Sequence, residues 1–285
     1  MKNMKYTTDA KNAVRSLHKM HEYFSKQDIN TKATVLLPKT MERGSEIHYR
    51  YLFYSCLLNY GMKSSVLHEG LKKLFENMPL LFSPQYICEN YTDSYTELAT
   101  ILRSFVHVRY PNQCAKNWVA LSNILHTKYN DNPKELLMAG NTYYDFQSAI
   151  LGLKGFGQKT GGLLLRIMID DGLLTPVDGI AEIPIDRHDI DLCVWLKVIS
   201  NITSDEIKKN KKVIKLLSDT WVCAAKELSI SPSIADQYLW IIGSQFCAKK
   251  QCEVCPLCDD CIKKGRSHEE NLHCRTNVQS SRIKV

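Results

Sequence analysis

Apolar residues recur at three- and four-residue intervals along most of this chain. EIHYRYLFYSCLLNYG (46–61) and SSVLHEGLKKLFENM (64–78) show the interval first. It is the repeat of one face of an α-helix. SYTELATILRSF (94–105) and QCAKNWVALSNILHTKY (113–129) continue it, with Pro111 between them, and TYYDFQSAILGL (142–153) and QKTGGLLLRIMIDDG (158–172) follow. DIDLCVWLKVIS (189–200), IKKNKKVIKLLSDTWVCAAKEL (207–228) and SIADQYLWIIGSQFC (233–247) complete the set. Pro79 and Pro84 punctuate the middle of the chain. Strand signals are weak, no alternating segments would build a sheet, and no repeat or low-complexity tract stands out. The pattern predicts an all-α protein of two helical lobes. We divide it into an N-terminal helical segment over 1–45 that joins the second lobe, a helical domain over 46–175, the second lobe over 176–262, and a polar tail over 263–285.

Composition refines this picture. Of 285 residues, 44% are hydrophobic, enough for one large or two small cores. Lysine and arginine outnumber acidic residues 37 to 30, a formal charge of +7 that favours a polyanionic partner. The opening MKNMKYTTDAKNAVRS is polar, unlike a signal peptide. No apolar run is long enough to span a bilayer. We therefore expect a soluble, cytoplasmic protein with no membrane partner. Five of eleven cysteines, at 247, 252, 255, 258 and 261, crowd into one short segment. In a long chain without a secretory signal, such clustering points to metal ligation rather than disulfides.

GLKGFGQKTGG (152–162) joins two apolar helices. Gly155 and Gly157 free the backbone for unusual angles and leave it bare. A turn of this kind beside a helix N-terminus favours anions. LKGFG thus suggests a helix–hairpin–helix that grips one DNA strand through its backbone without reading sequence. Lys154, Gly155, Gly157, Gln158 and Thr160 are its candidate DNA contacts. From the residues alone, Lys159 is either one more phosphate contact or a nucleophile.

LKGFGQKTGGLLL resembles the hairpin of the helix–hairpin–helix DNA glycosylase superfamily, L-P-G-V-G-x-K-T-A. Downstream, IPIDRHDIDLCVWL is similar to that family's V-D-T-H-V-x-R segment. CAKKQCEVCPLCDDC is similar to the iron–sulfur loop of its endonuclease III and adenine-glycosylase branches. The three matches come in the family's order, and the resemblance runs from about residue 46 to 262. Lys154 stands where the family has Pro, and Gly161 and Gly162 replace Ala, at a helix-propensity cost of about 1 kcal/mol each. The segment DDGLLTPVDGIAEIP before Asp186 is similar to a long insertion of archaeal 8-oxoguanine glycosylases.

The resemblance implies a DNA glycosylase with lyase activity, acting as a monomer in the nucleoid on double-stranded DNA with a damaged base. An oxidised base is expected, pyrimidine lesions slightly ahead of 8-oxoguanine, with an 8-oxoguanine-specific enzyme or a non-catalytic DNA-binding protein as alternatives. It makes Lys159 the amine nucleophile, activated by burial and by the positive end of its helix. It makes Asp186 the carboxylate that stabilises developing positive charge on the sugar. Asp178, in PVDGI, is the rival to Asp186. Asp189 and Asp191 are expected to be a helix cap and a surface charge, and His188 structural. A wedge residue to fill the gap left by the extruded base is sought in LLNYGMKSS, at Asn59, Tyr60 or Met62. Cys247, Cys252, Cys255 and Cys261 would hold a [4Fe–4S] cluster, thiolate being a soft ligand, in a loop whose Lys249, Lys250, Lys263 and Lys264 either meet DNA or are a plain solvated surface. Zinc is the competing metal. Cys258 is surplus to the set, and Cys252, Cys255, Cys258 and Cys261 form an alternative one. The run KKNKKVIK (208–215) either tracks phosphates or is a solvated helix face.

Overall fold

A computed structural model describes residues 6–27, 35–177 and 182–263. Asp178 and Lys264, singled out above, lie outside the described residues. Among those described, the chain is helical throughout apart from one minimal strand pair. In order it forms β1 (Thr7–Thr8), α1 (Ala10–Phe24), α2 (Glu46–Leu58), α3 (Ser64–Asn77), α4 (Pro84–Tyr91), α5 (Thr96–Val106), α6 (Pro111–Tyr129), α7 (Pro133–Leu137), α8 (Tyr143–Leu151) and α9 (Gln158–Asp170). Then come α10 (Arg187–Trp195), β2 (Ile199–Ser200), α11 (Ser204–Lys208), α12 (Lys211–Glu227) and α13 (Pro232–Ile241). A 3₁₀ turn at Pro79–Phe82 precedes α4, and a π-helical turn at Ile242–Cys247 continues α13. The chain divides into two compact units, one formed by Ala33–Ile180 and the other by Met1–Lys32 with Ala181–Val285.

The Ala33–Ile180 unit is built around α2. This helix is apolar on all sides and buried from Tyr51 to Leu58, as expected of a central helix enclosed by others. It packs against α3, α6, α7 and α9. Ser45 caps it, its hydroxyl accepting from the His48 N–H at 3.3 Å. The aromatic centre of the unit stacks Tyr54 on Trp118, centroids 4.1 Å apart, with Phe82 edge-on to both. The polar atoms buried there are satisfied: Trp118 Nε1 donates to the Leu81 carbonyl at 3.0 Å, and Tyr54 Oη pairs with Ser122 Oγ at 2.6 Å. Proline opens α4 and α6, where a missing N–H costs nothing. The prolines thus start helices as well as interrupt them.

The second unit packs α1 against α12 and α13. Ala13, Leu17, Met20 and Phe24 of α1 bury against a core that includes Trp221, Tyr238 and Phe246. β1 and β2 pair antiparallel, Thr7 opposite Ser200 and Thr8 opposite Ile199. The periodicity over 189–200 therefore runs past its helix: α10 ends at Trp195, and Lys197 at φ 55° turns the chain into β2. The apolar pattern over 207–228 is two helices, because α11 ends at Lys208 and Asn210 caps α12, accepting from the Lys212 and Val213 N–H groups. Basic residues of 208–215 pair with acids: Lys208 with Asp205 at 2.9 Å, and Lys215 with Glu182 at 2.6 Å and Asp219 at 3.0 Å.

Candidate functional site

The hairpin lies between α8 and α9. A capping box starts α8, with Thr142 Oγ1 accepting from the Asp145 N–H at 3.1 Å and Asp145 Oδ2 accepting from the Thr142 N–H at 3.0 Å. Leu153 and Phe156 then anchor the turn in the core, 5% and 7% exposed. Phe156 sits edge-on to Phe53 of α2, centroids 5.9 Å apart. This is why a phenylalanine stands between the two glycines: it pins the turn to the central helix. Gly155 has φ +96°, and a β-carbon there would fall 2.6 Å from Leu57 Cδ1 and 2.8 Å from Asn117 Nδ2. Both the angle and the close approach call for glycine. At Gly161 a β-carbon would lie only 3.2 Å from Leu151 Cδ2, so α9 rests closely on α8.

Lys154, Gly155, Gly157, Gln158 and Lys159 are exposed on this turn. Gly157 is the N-cap of α9 and Lys159 the second residue of the helix, within reach of its positive end. The burial expected for Lys159 is not found, because the helix start on which it stands faces outward. Thr160 departs from the expected DNA contact. It is buried, and its hydroxyl accepts the Gly157 N–H at 3.0 Å. The Gly157 N–H is thereby committed within the chain, although nothing lies within 4 Å of where its β-carbon would stand.

Next to the hairpin, through Leu57, is the end of α2. Asn59 is its C-cap, and Tyr60 follows, 66% exposed. Tyr60 meets Tyr110 at 5.9 Å between centroids, and the Arg109 guanidinium lies 5.4 Å from the Tyr110 ring. The structure therefore gathers the hairpin, Asn59, Tyr60, Arg109, Tyr110 and Asn117 onto one stretch of this unit. Arg109, Tyr110 and Asn117 join this stretch only through the fold. Their sequence signal was RYPNQCAKNW itself, an aromatic and a cation immediately before a proline-started helix.

In the other unit, Asp186 rather than Asp189 is the N-cap of α10. Asp186 Oδ1 accepts from the His188 N–H at 2.7 Å and the Asp189 N–H at 3.2 Å. Asp189 instead occupies the third helical position and closes the box, its Oδ2 accepting from the Asp186 N–H at 2.7 Å. It is 4% exposed. Burial, then the charges of Asp186 and Asp236, hold its carboxyl well above the usual carboxylate range. Asp191 is half-buried rather than on the surface, and His188 is exposed.

The π-helical turn delivers Cys247, and tight turns carry Cys252, Cys255, Cys258 and Cys261. Cys247, Cys255 and Cys261 pack against the apolar core of this unit. Burial pushes the Cys247 thiol up to about 11, and negative charge on Cys261 and Cys252 adds to the rise. The Cys255 thiol is pushed up to about 12 by burial, with Cys247, Cys261 and Cys258 contributing. A soft thiolate set, shielded on its apolar side, fits an iron–sulfur cluster or zinc. Among the described residues, no three His, Cys, Asp or Glu side chains already stand in a ligand cage. Lys249, Lys250 and Lys263 are exposed, and Lys263 lies 4.0 Å over the Trp195 ring. Among the described residues, no helix is long and apolar enough to cross a membrane.

No protein-family model matches the chain, and no curated protein sequence matches it. Solved structures do. Endonuclease III, trapped in a covalent intermediate with DNA, matches at a TM-score of 0.60 and 17% identity, over 92% of this chain and 100% of that one. The 8-oxoguanine DNA glycosylase of Thermotoga maritima matches at a TM-score of 0.50 and 18% identity, over 83% of this chain and 98% of that one. At such identities the likeness is one of architecture, and it agrees with the hairpin: this chain has the fold of the helix–hairpin–helix DNA glycosylases.

Proposed function

We propose that the protein is a DNA glycosylase with associated lyase activity, removing an oxidised base from duplex DNA. The observation that carries this reading is Lys159, an exposed amine two residues after a glycine turn and at the positive end of a 13-residue helix. In the proposed reaction the damaged base is extruded from the duplex. The Lys159 amine attacks the sugar C1′, the glycosidic bond breaks, and the base leaves with a proton. Ring opening gives an iminium, and elimination expels the 3′-phosphate. The amine must be neutral to attack. Since the chain itself leaves Lys159 exposed, closure of DNA over the turn supplies the desolvation. Asp186 carries the negative charge that favours the cationic sugar. The exposed Lys154, Gly155, Gly157 and Gln158 bear on phosphates, and Asn59 with Tyr60 fills the gap in the base stack. Cys247, Cys252, Cys255 and Cys261 hold a [4Fe–4S] cluster, which would cross-link their loop. The partner is double-stranded DNA, bound by a monomer.

Pyrimidine lesions are the first choice of substrate. The second is 8-oxoguanine, favoured by the long segment before Asp186 and by the likeness to a glycosylase for that base. The test is a panel of duplexes carrying thymine glycol, 5-hydroxycytosine, 8-oxoguanine or uracil, incubated with borohydride. The wild type should yield a covalent protein–DNA adduct on an oxidised base, because borohydride reduces an iminium. Lys159→Gln should yield none while still binding DNA. An adduct from Lys159→Gln would remove Lys159 from its role. Uracil far ahead of the others would overturn the oxidised-base assignment.

A further inference from the structure

The segment similar to V-D-T-H-V-x-R departs from it at several positions, of which one, Asp189, is a buried acid. Where that segment has its second Val, three residues after the carboxylate, this chain has Asp189. A second acid there is costly unless something uses it, because the position is buried. Asp189 is 4% exposed, and its Oδ2 takes the Asp186 N–H at 2.7 Å. In return, Asp186 Oδ1 takes the Asp189 N–H at 3.2 Å. The two carboxyls thus sit at opposite ends of one capping box, with Asp189 on its buried side.

We propose that Asp189 is a positioning residue for Asp186: it holds the start of α10 from below and carries the proton of the pair, so that the two acids bear one negative charge, placed on Asp186. The inference rests on the glycosylase reading for its consequence in catalysis. Its electrostatic part stands on the fold alone.

The surroundings support this division of charge. On α10, Asp189 meets Asp186 through the reciprocal capping bonds. From α13 comes Asp236, a third acid. The acids and lysine of α11 point elsewhere, since Asp205, Glu206 and Lys208 are exposed and Lys208 pairs with Asp205 at 2.9 Å. β2 has no titratable side chain, and the π-helical turn has only Cys247. Burial first, and then the two like charges, favour the proton on Asp189 and outweigh the Asp186 N–H bond, which favours the anion. A carboxyl whose folded pKa is raised contributes stability that is fully present below its unfolded pKa, about 3.9. That contribution is lost as the pH rises through the folded pKa.

Two variants separate the claims. Asp189→Asn keeps an acceptor for the Asp186 N–H and a donor to its carboxylate, without a titrating proton. Asp189→Val removes both. On a lesion duplex at pH 7, the Asn variant should excise the base at least about tenfold faster than the Val variant, the size expected for losing one buried hydrogen bond. Affinity for an undamaged duplex should be the same in both. In thermal melts from pH 4 to 9, the wild type should lose melting temperature relative to Asp189→Asn as the pH rises, by more than about 2 °C. Equal excision by the Val and Asn variants would overturn the positioning role. A melting difference independent of pH would overturn the shared proton. If the wild type excises no lesion, the proposed function fails, and the melts alone still decide where the proton sits.

Discussion

Gly155→Ala tests whether the hairpin is built as described. The residue sits at φ +96°, so any side chain there meets the left-handed penalty, roughly 1–2 kcal/mol. The new methyl would also stand 2.6 Å from Leu57 Cδ1 and 2.8 Å from Asn117 Nδ2. Neither neighbour moves freely. Leu57 is 4% exposed, and Asn117 Oδ1 accepts from Gln113 Nε2 at 2.8 Å. Displacing them adds about 1–2 kcal/mol, for a total of about 3 kcal/mol. At about 2–4 °C per kcal/mol for a domain of this size, the hairpin unit should melt roughly 6–12 °C lower. Gly157→Ala is the control: φ is −112° and the space above it is open. Its cost should stay under about 1 kcal/mol, the loss of a glycine N-cap. Differential scanning calorimetry measures the melts, and fluorescence anisotropy on an uncleaved duplex measures binding. On the proposed reading, Gly157→Ala should bind more weakly despite its stability, since its methyl would occupy the open space a phosphate would take. If the two variants melt within about 2 °C of each other, the close approach at Gly155 does not hold the turn.

Two further predictions concern the other unit. Asp186→Asn should lose excision by more than it loses binding, because asparagine caps a helix about as well as aspartate while removing the charge. Unchanged melting confirms the cap, and an unchanged excision rate would release Asp186 from its role. The purified protein should be yellow-brown with iron and sulfide in similar amounts; Cys255→Ser should lose the colour and Cys258→Ser keep it. The reverse pattern would select the alternative ligand set, and a colourless anaerobic preparation with one zinc would replace iron altogether.

Much of this protein was legible from the order of its residues. Helical spacing located α2, α3, α5, α6, α8, α9 and α13 to within a few residues, because each helix buries one face or more and the burial is written as periodicity. The glycine–phenylalanine–glycine turn followed by Lys159 was readable because local backbone freedom is a property of residue type. Short helices at Pro84–Tyr91 and Pro133–Leu137 were not, since one or two turns carry too little pattern to separate from a loop. Nor was the pairing of Thr7–Thr8 with Ile199–Ser200, which joins residues almost two hundred positions apart. Only tertiary structure could decide the environments. Lys159 is exposed because its helix start faces outward, and Thr160 is withdrawn because its hydroxyl closes on Gly157. Among the three acids of DRHDID, Asp186 is the cap and Asp189 the buried partner, because α10 turns its third residue toward Asp236 and the core. The sequence determines which groups are available and on what local frame. Which of them is dehydrated, paired or left facing outward depends on chain segments far away in sequence, and that is settled only when they pack.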